Sequence, residues 1–136
     1  MTVDGKQWGI PTAYSFWGVF YRKDIFEKLG IAAPKTWEEF VAAAKKLKEN
    51  DIIPFTIGTK DVWTPAGWFD ILNMRINGYD FHMQLMDGKV PYTDERVKEV
   101  FAKWKELVDG KFYLPNNTTY SWQREPFLPP AVARPR

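Results

Sequence analysis

The sequence contains no cysteine and only one histidine. Without cysteine there is no disulfide, no zinc–thiolate site and no cysteine nucleophile. With His82 alone, a histidine-rich metal site cannot form. His82 stands among Phe81, Met83 and Leu85, where packing is the expected role rather than catalysis. No apolar run approaches the roughly 20 residues of a membrane-spanning helix. Met1–Gly5 is neither basic nor apolar, so no secretory leader is expected in this chain. An excess of one charge is missing too. Lys and Arg number 19 against 17 Asp and Glu, for a net charge of +2, and the signs are interspersed. Nucleic-acid binding needs a clustered basic stripe, so nucleic acid is not an expected partner. Finally, there is no GxSxG, P-loop or GxGxxG motif.

What the chain has in excess is rings. Aromatics make up 17% of its 136 residues, with seven tryptophans. Its 45% hydrophobic and 26% charged content is ordinary for one globular domain with a core. The densest run lies in Gly9–Lys28, where Tyr14, Phe16, Trp17, Phe20 and Tyr21 fall close together. So many rings either fill a core or offer faces on which an apolar ligand surface stacks. Composition leaves both readings open.

Taken in order, Asp4-Gly5 signals a turn, and Lys6–Thr12 is an expected edge strand limited by Pro11. Gly18–Arg22 reads as a second strand, with Phe20 and Tyr21 filling the core. Asp24 and Glu27 form a capping-box pattern for a short helix over 25–29, closed by Gly30. Thr36 and Glu39 form another, opening a helix over 37–49 whose Trp37, Phe40, Val41, Ala44 and Leu47 share one face. Ile52–Thr59 reads as a buried strand, and strand–helix–strand order predicts a βαβ unit. Thr64-Pro65 opens a further helix that ends at Gly78. Tyr79–Met86 reads as one helical turn or more. Thr93 is the expected N-cap of a last helix, with Val97, Val100, Phe101, Trp104, Leu107 and Val108 as its apolar stripe and Gly110 as its end. Residues 124–136, with four prolines and three arginines, are expected to be disordered.

Carboxylate pairs are present as possible acid–base groups. Glu38-Glu39 and Asp94-Glu95 are explained by helix N-termini. Asp61 and Asp70 could face one another across a cleft, as a small carbohydrate-active enzyme would require. A stronger pattern is aromatic and polar together. Tyr14-Ser15-Phe16-Trp17 precedes the second expected strand, and Lys60-Asp61-Val62-Trp63 follows the third and precedes a helix. In open α/β sheets, ligands bind beyond the carboxyl ends of strands. Rings with short polar neighbours complement a sugar, which has an apolar C–H face and a belt of hydroxyls. Asp61 and Lys60 can make charge-assisted bonds to such hydroxyls. The plainer reading, in which these rings only pack a structural domain, also stands.

Three stretches in register carry a resemblance. They are GKQWGIPTAYSFWGVFYRKDIFEKLGI, PKTWEEFVAAAKKL and IPFTIGTKDVWTPAGWFDIL. Over about Asp4–Gln123 they resemble the extracellular solute-binding proteins of carbohydrate ABC importers. Arg22 replaces the asparagine of that family's Tyr-Asn-Lys-Asp pattern at Tyr21–Asp24. The resemblance implies an α/β fold of periplasmic-binding-protein type, here a helix-rich lobe fragment with a small sheet. Residues 1–15 would be a strand or hinge passage between lobes, and 16–123 part of the second lobe. It implies a non-catalytic protein without cofactor that binds a mono- or oligosaccharide between lobes. The implied ligand-binding residues are Tyr14, Ser15, Phe16, Trp17, Lys60, Asp61 and Trp63. A membrane permease would be the partner of the full-length protein, located in the periplasm or lipid-anchored outside the cell. The family's first lobe and the later part of its second lie outside the matching stretch. A chain with one side of a cleft is expected to bind sugar weakly or not at all. Unpaired strand edges are expected to favour self-association.

Overall fold

A computed structural model describes residues 2–15 and 17–122. Phe16 and the segment expected to be disordered, 124–136, lie outside the described residues. The architecture is helix-rich, with a small two-stranded sheet. Strands β1 (Thr2–Val3) and β2 (Lys6–Gln7) pair antiparallel about the turn at Asp4-Gly5. Both turn residues have positive φ, 51° and 73°, as a tight two-residue hairpin demands. Five α-helices follow among the described residues: α1 (Lys23–Lys28), α2 (Trp37–Glu49), α3 (Trp63–Asn77), α4 (Tyr79–Met86) and α5 (Glu95–Asp109).

The helix ends show how local sequence sets the elements. Thr36 Oγ1 accepts from Glu39 N at 3.2 Å while the Glu39 carboxylate reaches back, closing the expected capping box of α2. α1, α2, α4 and α5 each end with the same paired bonds from the two residues after the cap. In α1 these are Gly30 N to Glu27 O at 3.1 Å and Ile31 N to Phe26 O at 2.8 Å. The reversal needs a left-handed residue. Gly30 and Gly88 supply it without a Cβ penalty, whereas Asp51 and Lys111 adopt it at φ 57° and 52°. Gly110, expected to end α5 in this way, stays right-handed at φ −65°. Its role is space, because a Cβ there would run into the Phe112 ring.

Several expected boundaries shift for identifiable reasons. Asp24 is not the cap of α1. It lies inside the helix and takes a two-pronged contact from Arg22, which occupies the cap position without a side-chain cap bond. Asp94, not Thr93, caps α5 by accepting from Arg96 N at 2.9 Å. Arg96 also grips that carboxylate, and the two contacts hold the Asp94 carboxyl down at about 2. α3 begins at Trp63, ahead of Thr64-Pro65.

The strands differ most. Among the described residues, Lys6–Thr12 pairs only through Lys6–Gln7. Gly18–Arg22 forms no strand and joins no sheet among the described residues, and Phe20 and Tyr21 are exposed rather than in the core. Ile52–Thr59 holds isolated bridge positions at Ile52 and Phe55, the latter pairing parallel with Tyr113, so the expected βαβ ladder does not form among the described residues. Strand propensity supplies no stability until a neighbour accepts the hydrogen bonds.

The core is two joined clusters. One unites α3, α4 and α5 through Phe69, Leu72, Phe81, Leu85, Val97 and Val100. The other packs Ala44, Leu107 and Phe112 against Phe40, Phe55, Trp68 and Tyr113. Trp37 and Trp104 touch both. Their indole N–H groups are satisfied. Trp37 donates to Glu106 Oε2 at 2.7 Å, which holds that carboxyl below its ordinary value. Trp104 donates to the Tyr113 hydroxyl at 3.0 Å, and burial pushes that phenol above its ordinary range. His82 packs as expected, buried beside fully buried Asn73. Asn77 Nδ2 donates to Arg96 O at 3.2 Å and to Asn73 Oδ1 at 2.9 Å. That leaves the Asn73 amide nitrogen, 3.0 Å from His82 Nδ1, as donor to it.

Candidate functional site

Where the 52–59 segment runs out, the chain turns sharply into α3. Trp63 N donates to Asp61 O at 2.7 Å across Val62, whose φ is 65° and ψ −33°. This is a γ-turn, a rare and strained geometry, and its central residue is β-branched. Such a backbone costs on the order of 1–3 kcal/mol and persists where surrounding structure holds it. What holds it is visible. Val62 N donates to Thr59 O at 3.1 Å, and Thr64 Oγ1 donates to Gly58 O at 2.5 Å. Thr59 and Lys60 in turn receive the distant 117–120 segment, through Thr59 N to Asn117 O at 3.0 Å and Lys60 N to Tyr120 O at 3.1 Å. Asp61 Oδ2 then accepts from Trp122 N at 3.1 Å.

The outcome is a row of indoles. Trp17 and Trp63 meet edge to face with centroids 6.2 Å apart, and Trp63 and Trp122 meet likewise at 5.6 Å. All three keep about half their surface open, at 58%, 47% and 45% for Trp17, Trp63 and Trp122. Each edge-to-face pair contributes about 0.5–1.5 kcal/mol beyond area burial. Rings that are mutually packed yet half exposed form a pre-organised apolar surface, with Lys60 and Asp61 exposed beside it.

Two glycines allow this approach. A Cβ on Gly58 would lie 2.7 Å from Ser121 O, so the segment carrying Trp122 could not come so near. A Cβ on Gly67 would fall within the Trp17 ring. Gly67 lies inside α3, where glycine costs about 1 kcal/mol relative to alanine. Gly67→Ala is therefore expected to displace Trp17 into solvent while the helix recovers up to about 1 kcal/mol. Tryptophan emission should shift to the red with a urea midpoint near that of the parent. Unchanged emission would show that the ring does not depend on this contact.

Among the expected site residues, the structure brings Trp17 and Trp63 together. Asp61 joins them by holding Trp122. Lys60 is exposed in the same loop, Tyr14 and Ser15 are exposed on the run before Trp17, and Phe16 lies outside the described residues. Trp122 is the functional candidate that sequence reasoning missed. Its local signal was slight, a tryptophan outside any helical stripe. Asp61 and Asp70 are not hydrogen-bonded to each other, and Asp70 sits half-buried on α3. A hollow of about 450 Å³ lies nearby, lined by Ile57, Thr59, Pro65, Trp104, Tyr113 and Asn117 among others. None of the three row tryptophans lines it, so the open indole surface, not this hollow, is the candidate site.

Residues 1–126 match the profile of the bacterial extracellular solute-binding proteins. The chain belongs to this family. An uncharacterised extracellular-binding protein of an ABC transporter from Pyrococcus horikoshii is 35% identical over 106 residues, covering 76% of this chain and 25% of that protein. Among solved structures, the bacterial solute receptor AcbH, described as exclusively preferring β-D-galactopyranose, is 40% identical with a TM-score of 0.72. The match covers 77% of this chain and 26% of AcbH. A chitin oligosaccharide binding protein is 30% identical with a TM-score of 0.84, over 93% of this chain and 32% of that one. The chain thus spans about a quarter to a third of the length of these relatives.

Proposed function

We propose that this chain supplies one wall of a saccharide-binding cleft in the substrate-binding component of an ABC sugar importer. The observation that carries the reading is the half-exposed row Trp17–Trp63–Trp122, braced by Asp61. Indole faces suit the C–H side of a pyranose, and Lys60 and the free oxygen of Asp61 can bond its hydroxyls. Tyr14 and Ser15 extend the wall in this reading, and Phe16 belongs to the same run. The names of the solved neighbours, a galactopyranose receptor and a chitin oligosaccharide binder, support a carbohydrate ligand. The role is binding without covalent chemistry or cofactor. Residues 1–15 serve as the passage between lobes and the following residues as part of the second lobe. Delivery is to a membrane permease on the outer side of the membrane, in keeping with the extracellular family to which the chain belongs.

Titration with galactose and with chitooligosaccharides, followed by tryptophan fluorescence, tests this. One wall desolvates one side of a sugar, so saturable quenching is expected with a dissociation constant of about 1 mM or weaker. Emission unmoved by every sugar would overturn the carbohydrate reading. A submicromolar constant would overturn the one-wall reading.

A further inference from the structure

Val62 goes against three local preferences at once. Its φ is +65°, and the other non-glycine residues with positive φ among the described residues are Asp4, Asp51, Lys111 and Asn116, none of them branched at Cβ. It stands as the cap of α3 with no side-chain cap bond. It is also 75% exposed, so burial compensates for neither. Positions where local choices disagree with the fold are where strain serves function. The two neighbours of Val62 indicate which function. Before it is Asp61, whose carboxylate accepts from Trp122 N at 3.1 Å. After it is Trp63, the middle ring, which meets both Trp17 and Trp122 edge to face.

We propose that Val62 is a sprung latch that regulates the site by setting how often the third ring stands in the row. The inference rests on the indole row being the saccharide site. Two effects oppose each other at this residue. Strain drives its backbone toward an ordinary negative φ. Against that stand the bonds from Val62 N to Thr59 O at 3.1 Å, from Trp63 N to Asp61 O at 2.7 Å and from Trp122 N to the Asp61 carboxylate. Strain of this kind and the net worth of one or two hydrogen bonds are of the same magnitude, so latched and released forms are both populated. The released form follows from what is anchored. Trp63 is fixed by α3 and by Trp17, which is itself seated on Gly67, so rotation at Val62 moves Asp61 instead. Asp61 then leaves Trp122, and the row shortens from three rings to two. A saccharide spanning Trp63 and Trp122 meets its full surface in the latched form alone and draws the population toward it. Its apparent affinity is reduced by the fraction of chains that are released.

Fluorine NMR on the chain labelled with fluorotryptophan tests the latch without sugar. Trp122→Phe identifies the Trp122 resonance. That resonance is expected to show exchange on the µs–ms timescale of loop opening. Val62→Gly accepts positive φ freely, so it should populate the latched form and suppress the exchange. Stability is not the readout, because glycine also frees the unfolded chain. In a titration with chitooligosaccharides, Val62→Gly is expected to bind about two- to tenfold more tightly than the parent, the gain from removing the released fraction. A Trp122 resonance without exchange in the parent, or with the same exchange in Val62→Gly, overturns the latch. Suppressed exchange with sugar affinity unchanged overturns its control of the site. Suppressed exchange with no resonance moved by any sugar leaves the latch standing and overturns the carbohydrate reading.

Discussion

Leu107→Ala is expected to cost about 2–5 kcal/mol, the range for a leucine removed from a packed site. Leu107 is fully buried and belongs to the cluster that joins α5 to α2 through Ala44 and to the 112–113 segment through Phe112. Its neighbours cannot close the gap. Phe112 is held by the reversal after α5, with its N–H bonded to Leu107 O at 3.2 Å. Phe55 and Phe40 are stacked 4.9 Å apart in the same cluster and are fixed by their own partners. A small domain has only about 5–15 kcal/mol in all, so the substitution removes a large fraction of it. Urea unfolding followed by circular dichroism checks this against Val108→Ala. Val108 is the next residue on the same helix but 55% exposed, and its loss should move the midpoint by no more than about 0.5 kcal/mol. Equal effects at the two positions would show that the interior of the second cluster is misassigned.

Trp63→Ala is expected to lower saccharide affinity by tenfold or more. Trp63 is the middle ring, touching both Trp17 and Trp122. Its removal takes out one stacking face and both edge-to-face contacts that orient the others. Buried or half-buried tryptophans are the residues whose truncation most often costs 2 kcal/mol or more in binding, about thirtyfold. The two lost ring pairs should also cost about 1–3 kcal/mol of stability. Relief at Val62 offsets part of that, because the γ-turn no longer has to hold a ring in place. The fluorescence titration measures the effect, with Tyr79→Ala as the control. Tyr79 is 64% exposed at the start of α4 and outside the row. A Trp63→Ala variant that binds as well as the parent would remove the indole row as the site.

How much of this was legible differs by element. α2 was readable end to end because its signals are local. Thr36 and Glu39 are three residues apart, and its apolar face repeats within the helix itself. The stripe of α5 was readable for the same reason at Val97, Val100, Trp104 and Leu107, although Phe101 and Val108 stay exposed, its cap falls on Asp94 and its reversal on Lys111. Both neighbouring residue types could cap equally well, and only the folded backbone chooses. The strands were less legible. Gly18–Arg22 has the composition of a core strand, but composition does not supply the partner that would bury Phe20. The site was half legible. The Trp17 and Trp63 runs stand out as dense aromatic and polar stretches, whereas Trp122 enters through contacts between segments far apart in sequence, such as that of Thr59 with Asn117, 58 residues apart. Gly67 gave no sign of its part, because a glycine inside a helix reads as a small penalty until a distant ring is seen to occupy the space.

The sequence by itself determined where the helices lie, the reversal at Gly30, the absence of thiol chemistry, and a family resemblance that the profile match bears out. Each rests on residues within a few positions of one another, or on a pattern read residue by residue. Only the tertiary structure decided that Trp17, Trp63 and Trp122 form one row, that Asp61 braces it, and that Phe20 is left in solvent. These outcomes depend on which distant segments exclude water from one another. That is a property of the packed chain, and no local run of residues encodes it.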